Sequence, residues 1–425
     1  MALVTINSYY KRHRWPAYTQ IPIVVEPDTA DTTKCRFKYI LDVYVNPNNS
    51  TNSPGGAWTK IATLKQYPDP TASTTFDVHR IVQDYMTFRS APGSLMNMGV
   101  ELFGDETKRL YNWFRVEAGC EYDDTSSDCT DPVTQHLAED THDFIAWNGA
   151  APYEKPPFYF FTEDWFELDG TSKRFLGDFP SDGIPVRGGA DYTISCHSFG
   201  NTVIDKICFE TDNSGGTFKA SLAGYGDPSI AGFDMLILGV GPYNANQYTL
   251  TSGTQPVVDS DTKYYDVWVE DSSSNRISEK VRLVIDNTCS DDIVYLTWMN
   301  RWGAMDSFAW TGSSQRTVAT KRTTYERLLD GYRSIGDRSR TVLGTEARDK
   351  WKLNSGWVSD SQATWLEQLF TSPVVNIVKW NGVNFEQYPV VVTTTTYEEK
   401  TMKRLKLINY SIELEAAWEK PIQRG

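Results

Sequence analysis

The sequence predicts a mainly β protein, built of tandem antiparallel β-sandwich domains with a C-terminal α+β module. Three observations carry that expectation. Apolar and polar residues alternate with period two, as where Phe37, Tyr39, Leu41, Val43 and Val45 interleave with Lys38 and Asp42. Successive side chains leave a strand on opposite faces, so this period marks a strand with one buried face. Turn-forming clusters such as Asn46-Pro47-Asn48-Asn49 and Ser272-Ser273-Ser274-Asn275 punctuate such stretches. A long helical period with capping chemistry occurs once, near the C-terminus.

At 425 residues the chain exceeds one ordinary core, because single cores stop growing by about 250–300 residues. The pattern divides it into 1–183, 184–289 and 290–425. The first segment reads as a β-sandwich with strands over 37–45 and 58–64. A short helix follows, since Val78, Ile81, Val82 and Tyr85 recur at i, i+3, i+4 and i+7. The polar, acidic residues 120–143 read as a long loop excursion. Pro156-Pro157-Phe158-Tyr159-Phe160-Phe161 reads as a strand that buries a contact surface.

The second segment reads as an Ig-like or fibronectin-III-like sandwich. It holds a strand over 192–196 and a hairpin in which Tyr265, Val267 and Val269 are answered by Ile277, Val281, Leu283 and Ile285. The third segment opens with strands over 293–298 and around Phe308-Ala309-Trp310. Ser359 with Gln362 three residues later forms a capping box, the stripe Trp365, Leu366, Leu369, Phe370 follows, and Ser372-Pro373 stops the helix. Asn381-Gly382 between 374–380 and 383–388 is a type I′ hairpin signal. A closing hairpin is expected to pair 390–397 with 405–414 across Glu398-Glu399-Lys400.

The formal charge is −14, from 41 Lys and Arg against 55 Asp and Glu. An acidic surface repels phosphate backbones, so free nucleic acid is not an expected partner. No apolar run is long enough for a membrane-spanning helix, and no membrane insertion is expected. Met1 to Asn7 shows no charged segment leading into an apolar one, which predicts assembly in a cytoplasm. The six cysteines show no paired Cys/His spacing of a zinc site. Cys120 and Cys129 bracket a short acidic stretch and could close a disulfide, whereas a reducing compartment would keep them free.

Catalytic signatures are missing from the sequence: there is no GxSxG, no Walker loop, no GxGxxG opening a helix and no HExxH. His136 and His142, with Glu139, Asp140 and Asp143 beside them, could hold a transition metal, yet an acidic surface loop explains the same residues. Asp123, Asp124 and Asp128 offer oxygen ligands for calcium but lack the glycine and bidentate glutamate of an EF-hand. Glu163, Asp164 and Asp169 lie among aromatics, as glycosidase carboxylates do, although such neighbours are commonplace. No catalytic, cofactor-binding or metal residue is therefore assigned, no cofactor is expected, and the chain is not expected to be an enzyme. The 14 Trp, 23 Tyr and 19 Phe suit pleated surfaces first, and interfaces or sugar-binding faces second.

Several stretches carry a resemblance. Phe37-Lys38-Tyr39-Ile40-Leu41-Asp42-Val43-Tyr44-Val45, Ile61-Ala62-Thr63-Leu64-Lys65-Gln66 and the segment from Phe76 to Tyr85 lie near one end. Trp298-Met299-Asn300-Arg301-Trp302-Gly303, Lys352-Leu353-Asn354-Ser355-Gly356-Trp357, Tyr397-Glu398-Glu399-Lys400 and Leu407-Ile408-Asn409-Tyr410 lie near the other. Together these resemble virion structural proteins of crAss-like and related tailed bacteriophages, over about half the chain; the middle sandwich and 120–143 do not take part. The resemblance implies a structural subunit of the virion, assembled in the host cytoplasm. The expected form is a ring, hub or baseplate-type component of the tail, touching copies of itself in a cyclic assembly and other tail proteins. A carbohydrate- or receptor-binding module for host surface glycan is the alternative, and a depolymerase-type glycoside hydrolase a third. No catalytic residues come with the resemblance.

Overall fold

The computed structural model describes all residues except 1–2, 8–13, 47–57, 87–99, 103–110, 124–128, 130–131, 152–167, 169–172, 199–203, 214–215, 223–233, 288–292, 327, 329–330, 332–333, 335, 337, 381–384, 395–399, 403–406 and 421–425. The predicted strand over 156–161, the Asn381-Gly382 turn and the Glu398-Glu399 tip lie outside the described residues. The chain is mainly β, in several antiparallel sheets.

The first strands are β1 (Val4–Ile6), β2 (Arg14–Pro16), β3 (Pro22–Pro27), β4 (Lys38–Asn46), β5 (Thr59–Gln66) and β6 (Thr74–Asp77), followed by a helix over His79–Gln83. β7 (Val100–Leu102), β8 (Tyr111–Tyr122) and β9 (Thr134–Trp147) come next. One sheet runs β2-β9-β8-β4-β5 and a second β1-β3-β6. The alternating residues Phe37, Tyr39, Leu41, Val43 and Val45 all enter one core with Val25, Phe76, Val82, Phe114 and Phe144. Burial of that face is what fixes the register of β4, since a slip of one residue would turn every one of these side chains out of this core.

Two expectations are corrected here. Residues 120–143 are not a loop excursion: they lie largely in β8 and β9, which pair antiparallel from Tyr111↔Trp147 to Tyr122↔Thr134. A register shift between Ala118 and Cys120 and a positive φ of 54° at Ala138 break the alternation. The acidic residues of β9 bond to protein groups and are not a solvated run. Glu139 accepts from the Leu3 backbone N–H (2.9 Å), Asp140 from the Thr5 hydroxyl (2.9 Å) and the Ile6 N–H (2.8 Å), and Asp143 takes the Arg115 guanidinium at 2.7 and 2.9 Å. The cysteine pairing also differs. Cys129 is bonded to Cys35, 94 residues away, while Cys120 is a free thiol buried in the core, where desolvation pushes it up to about 11.

The middle of the chain holds β10 (Ile184–Arg187), β11 (Thr193–Ser198), β12 (Lys206–Thr211), β13 (Thr217–Ser221), β14 (Asp234–Gly239), a one-turn helix over Pro242–Ala245, β15 (Leu250–Ser252), β16 (Tyr264–Glu270) and β17 (Val281–Asp286). A sheet of order β10-β17-β16-β12-β13-β15 shares its core with the sheet β11-β14-β7. The expected hairpin is present as β16–β17, in register Tyr265↔Leu283 and Val267↔Val281.

Beyond it come β18 (Val294–Met299), β19 (Met305–Trp310), β20 (Ser314–Glu326), β21 (Arg340–Ser359), a helix over Asp360–Thr371, β22 (Val375–Trp380), β23 (Phe385–Val392), β24 (Lys400–Met402) and β25 (Leu407–Ala416). They form one sheet, β19-β18-β22-β23-β25-β21-β20, with β24 added beside β25. The helix begins at the predicted capping box, with the Ser359 hydroxyl accepting from the Gln362 N–H and the Gln362 amide oxygen accepting from the Ser359 N–H. Its stripe of Trp365, Leu366 and Leu369 is buried on the sheet. The closing hairpin is revised: Val390 faces Ala416 and Val392 faces Leu414, so β23 meets the far end of β25, while β24 covers its start.

The turn between β18 and β19 binds separate parts of the chain together. The Asn300 amide donates to the Leu176 carbonyl (2.9 Å) and to Asp306 (3.1 Å), and its oxygen accepts from the Trp302 (3.0 Å) and Ala304 (3.1 Å) N–H groups. Trp365 Nε1 donates to the other Asp306 oxygen at 2.8 Å. The Arg301 N–H donates to Gln368 of the helix (3.0 Å), and its carbonyl accepts from the Ala150 N–H (2.6 Å). Gly303 holds φ +83°, and a Cβ there would fall on the Asn148 carbonyl oxygen. Only glycine satisfies both demands.

Two predictions follow from these linkages. Burial pushes the Asp306 carboxyl up to about 7, against the lowering pull of its bonds to Trp365 and Asn300. A carboxyl whose folded pKa lies above its unfolded value favours the fold at low pH and loses that contribution as pH rises from about 4 to about 7. Asp306→Asn, which cannot ionise, should therefore gain stability relative to the native chain across that window, read from urea midpoints at pH 4.5, 6 and 8. Reduction, or Cys35→Ser, should destabilise the core shared by the β2-β9-β8-β4-β5 and β1-β3-β6 sheets by roughly 4–5 kcal/mol from the entropy of a loop of that size, read by calorimetry with and without reductant; Cys120→Ser should not reproduce the effect of reductant.

Candidate interaction surface

Among the described residues, those singled out for chemistry do not converge. His136 and His142 lie six residues apart along β9, about 20 Å at strand spacing. His136 stacks on Tyr122 (centroids 5.2 Å apart), and buried His142 stacks on Phe144 (6.2 Å). Asp123 is buried 3.9 Å from Arg36, whereas Asp124, Asp128, Glu163, Asp164 and Asp169 lie outside the described residues. Among the described residues, no group of three or more His, Cys, Asp or Glu side chains is placed to hold a metal ion, and no helix is long and apolar enough to cross a membrane.

A cavity of about 290 Å³ opens between the ends of β10 and β17 and the loop after β15. Its lining holds a single carboxylate, Asp259. That carboxylate accepts from the Asp261 N–H (3.0 Å), the Thr262 N–H (2.9 Å) and hydroxyl (2.8 Å), and Asn213 (2.9 Å), so it is engaged in shaping its own loop.

The conspicuous surface feature is the hairpin of β20 and β21. β21 has 20 residues, about 66 Å of strand. Only Lys350 to Leu353 pair with both β20 and β25, and the β25 pairing stops at Lys350. From there outward β21 has β20 alone, and β20 is the last strand of the sheet. Eleven of its 13 residues, between Gln315 and Glu326, are exposed, on both faces, with Thr317, Val318, Thr320, Thr323 and Thr324 supplying β-branched side chains that hold an extended backbone without a core. The exposed residues include apolar ones: Val318, Tyr325, Leu328, Val342 and Leu343. A two-stranded ribbon with no covered face is marginal in water, and an outer edge of unpaired N–H and C=O groups is a template for another strand.

The base of this arm is held by charge. Buried Asp349 takes Arg316 of β20 at 3.0 Å and Lys420 of the C-terminal segment at 2.8 Å. Arg348 reaches Glu415 (3.3 Å) and Glu419 (2.9 Å), and Lys350 reaches Glu415 (3.0 Å). The Lys420 N–H closes the contact on the Ala347 carbonyl at 2.9 Å. Beyond Ala347 the arm projects alone. Burial works to raise the Asp349 carboxyl, but its hydrogen bonds from Arg316 and Lys420 outweigh that and hold it below the usual range.

The arm also differs in charge from the rest of the protein. Residues 314–349 hold eight Lys and Arg against five Asp and Glu, while residues 1–289 hold 23 against 39. Among the described residues Lys321 and Arg322 form no ion pair within 4 Å, so their charge is turned outward. Neither face of β20 is buried, so its sequence carries no period-two signal. The one trace is the mirrored density of threonine and valine at 317–324 and 341–345 about Gly331.

No protein-family model matches the chain, and no curated relative matches it. The solved structures that resemble it do so loosely. A chain from the virion of a native gene transfer agent particle aligns at 12% identity over 31% of this chain and 95% of its own, with a TM-score of 0.22. The teleost fish polymeric Ig receptor ectodomain aligns at 10% identity over 66% of this chain and 96% of its own, with a TM-score of 0.17. The extracellular region of plexin A4 aligns at 9% identity over all of this chain but 32% of its own, also at 0.17. Similarity to a virion particle is therefore present and weak, and scores of this size carry no argument about function.

Because Asp349 is ionised above its unfolded pKa, its contribution to the arm's base is complete at neutral pH and is lost as pH falls through the lowered folded value. Asp349→Ala should cost about 1–2 kcal/mol at pH 7, since both partners stay partly solvated. The measurement is amide exchange of residues 340–349, which should accelerate in the variant at pH 7 and converge with the native chain as acid neutralises the carboxylate.

Proposed function

We propose that this chain is a non-enzymatic structural subunit of a bacteriophage virion, a ring, hub or baseplate-type component of the tail that contacts copies of itself and other tail proteins. The observation that carries this reading is the projecting β20–β21 arm. An exposed strand edge of this length is a liability for a protein that works alone, and natural proteins blunt or cover such edges. A subunit that docks the edge on a neighbour turns it into an interface. The resemblance of both ends of the sequence to virion proteins of crAss-like and related phages points the same way, as does the scarcity of convergent polar groups among the described residues.

Catalysis would call for a hollow with opposed acids, and the 290 Å³ cavity offers one carboxylate already bonded to its own loop. A glycan-binding module would call for an aromatic platform. Trp357 is the only exposed tryptophan among the described residues, and the exposed tyrosines Tyr18, Tyr67, Tyr85, Tyr243, Tyr264 and Tyr325 lie on separate elements.

The test is the mass of the purified chain. Light scattering after size exclusion, with negative-stain imaging, should give a multimer of defined size, with closed rings among the particles. A monomer at every concentration up to about 10 mg/mL, joined to binding on a glycan array, would replace this reading with the host-facing binding module.

A further inference from the structure

We infer that the basic arm of one copy docks on the acidic surface of residues 1–289 of the next copy, a head-to-tail contact between two different surfaces of the same chain. This rests on the assembly role proposed above and names the partner of the arm.

Charge selects the partner. The arm carries a surplus of three positive charges and residues 1–289 a surplus of sixteen negative ones. Two arms brought side by side would therefore repel, whereas an arm against the body of another copy is attracted; opposite potentials steer and orient association in this way. Acceptor charges stand ready on that body. Asp31, Asp69 and Asp271 sit at surface turns, each held below the usual carboxylate range by hydrogen bonds from its own turn, led by Thr33, Thr71 and Asn275 respectively. They remain ionised at neutral pH.

Geometry selects the mode. The arm presents the open outer edge of β20 and, from Arg340 to Asp349, an edge of β21 that no strand pairs, and the apolar side chains of Val318, Tyr325, Val342 and Leu343 are exposed beside Lys321, Arg322 and Arg340. A neighbour can thus bury apolar surface while compensating the charge. The arm's base is fastened by the Asp349 ion pairs, so the projecting part has a defined direction. A contact between two unlike surfaces does not close on itself in a dimer; it propagates, and yields a ring where the rotation closes and a filament where it does not.

The experiment installs the photo-crosslinker p-benzoylphenylalanine at Leu343 in the full-length chain. Labelled and unlabelled copies are mixed and irradiated, and the crosslinked peptides are mapped by mass spectrometry. Crosslinks between copies should join the arm to peptides within 1–289. The variant K321E/R322E/R340E should need at least a tenfold higher concentration to assemble, and raising the salt should weaken native assembly in the same direction. Arm-to-arm crosslinks, or a multimer in which Leu343 reaches no other copy, would overturn the inference while leaving the assembly role intact. A chain that stays monomeric overturns the assembly role itself. Duplex DNA binding that the triple variant abolishes, with assembly unchanged, would assign the arm's charge to nucleic acid and overturn the inference as well.

Discussion

The structure depends on one buried polar knot. Asn300 and Asp306 close the β18–β19 turn, and through it they hold Leu176, the helix residue Trp365 and, by the Arg301 carbonyl, Ala150. Buried polar groups without partners are costly, so such a network is stable only when its members are satisfied together. Segments separated by more than a hundred residues in sequence must then be in place at the same time. The core reflects this: residues from Leu168 to Ala416 form a single buried cluster that runs without a break from the middle sheets into the last one.

That fastening gives the C-terminal sheet unequal edges. At one end β19 is buried, with Asp306, Phe308 and Trp310 inside. At the other, β20 ends the sheet with its outer edge open and its side chains in water. An antiparallel sheet usually blunts a free edge by shortening or bending it; here the edge strand and its partner are instead the longest hairpin of the sheet. Charge follows the same division, with an acidic body and a basic arm. The proposed role in assembly rests on this open edge.

The sequence was legible where one face of an element is buried and unreadable where none is. Phe37 to Val45, the β16–β17 hairpin and the capped helix after Ser359 carry periods of two or 3.6, and each lies where its period placed it. Residues 120–143 misled because a bulge at Ala118–Cys120 and the positive φ of Ala138 disrupt the alternation, and because Glu139, Asp140 and Asp143 look like a solvated run while bonding to Leu3, Ile6 and Arg115. The Cys35–Cys129 pairing depends on the β4–β8–β9 arrangement, which no local spacing encodes. The arm left only its threonine and valine density, since a strand wet on both faces has no hydrophobic period to detect. His136 and His142, close in sequence, stand about 20 Å apart along one strand.

The most direct test is an electron cryo-microscopy map of the assembled particle, read at the outer edge of β20. If the arm is an assembly device, every interior copy will show that edge covered by a neighbouring chain, with ordered density from Ser314 to Glu326 and from Arg340 to Asp349. Particles in which the arms of all copies stand free in solvent, while the subunits meet elsewhere, would contradict it.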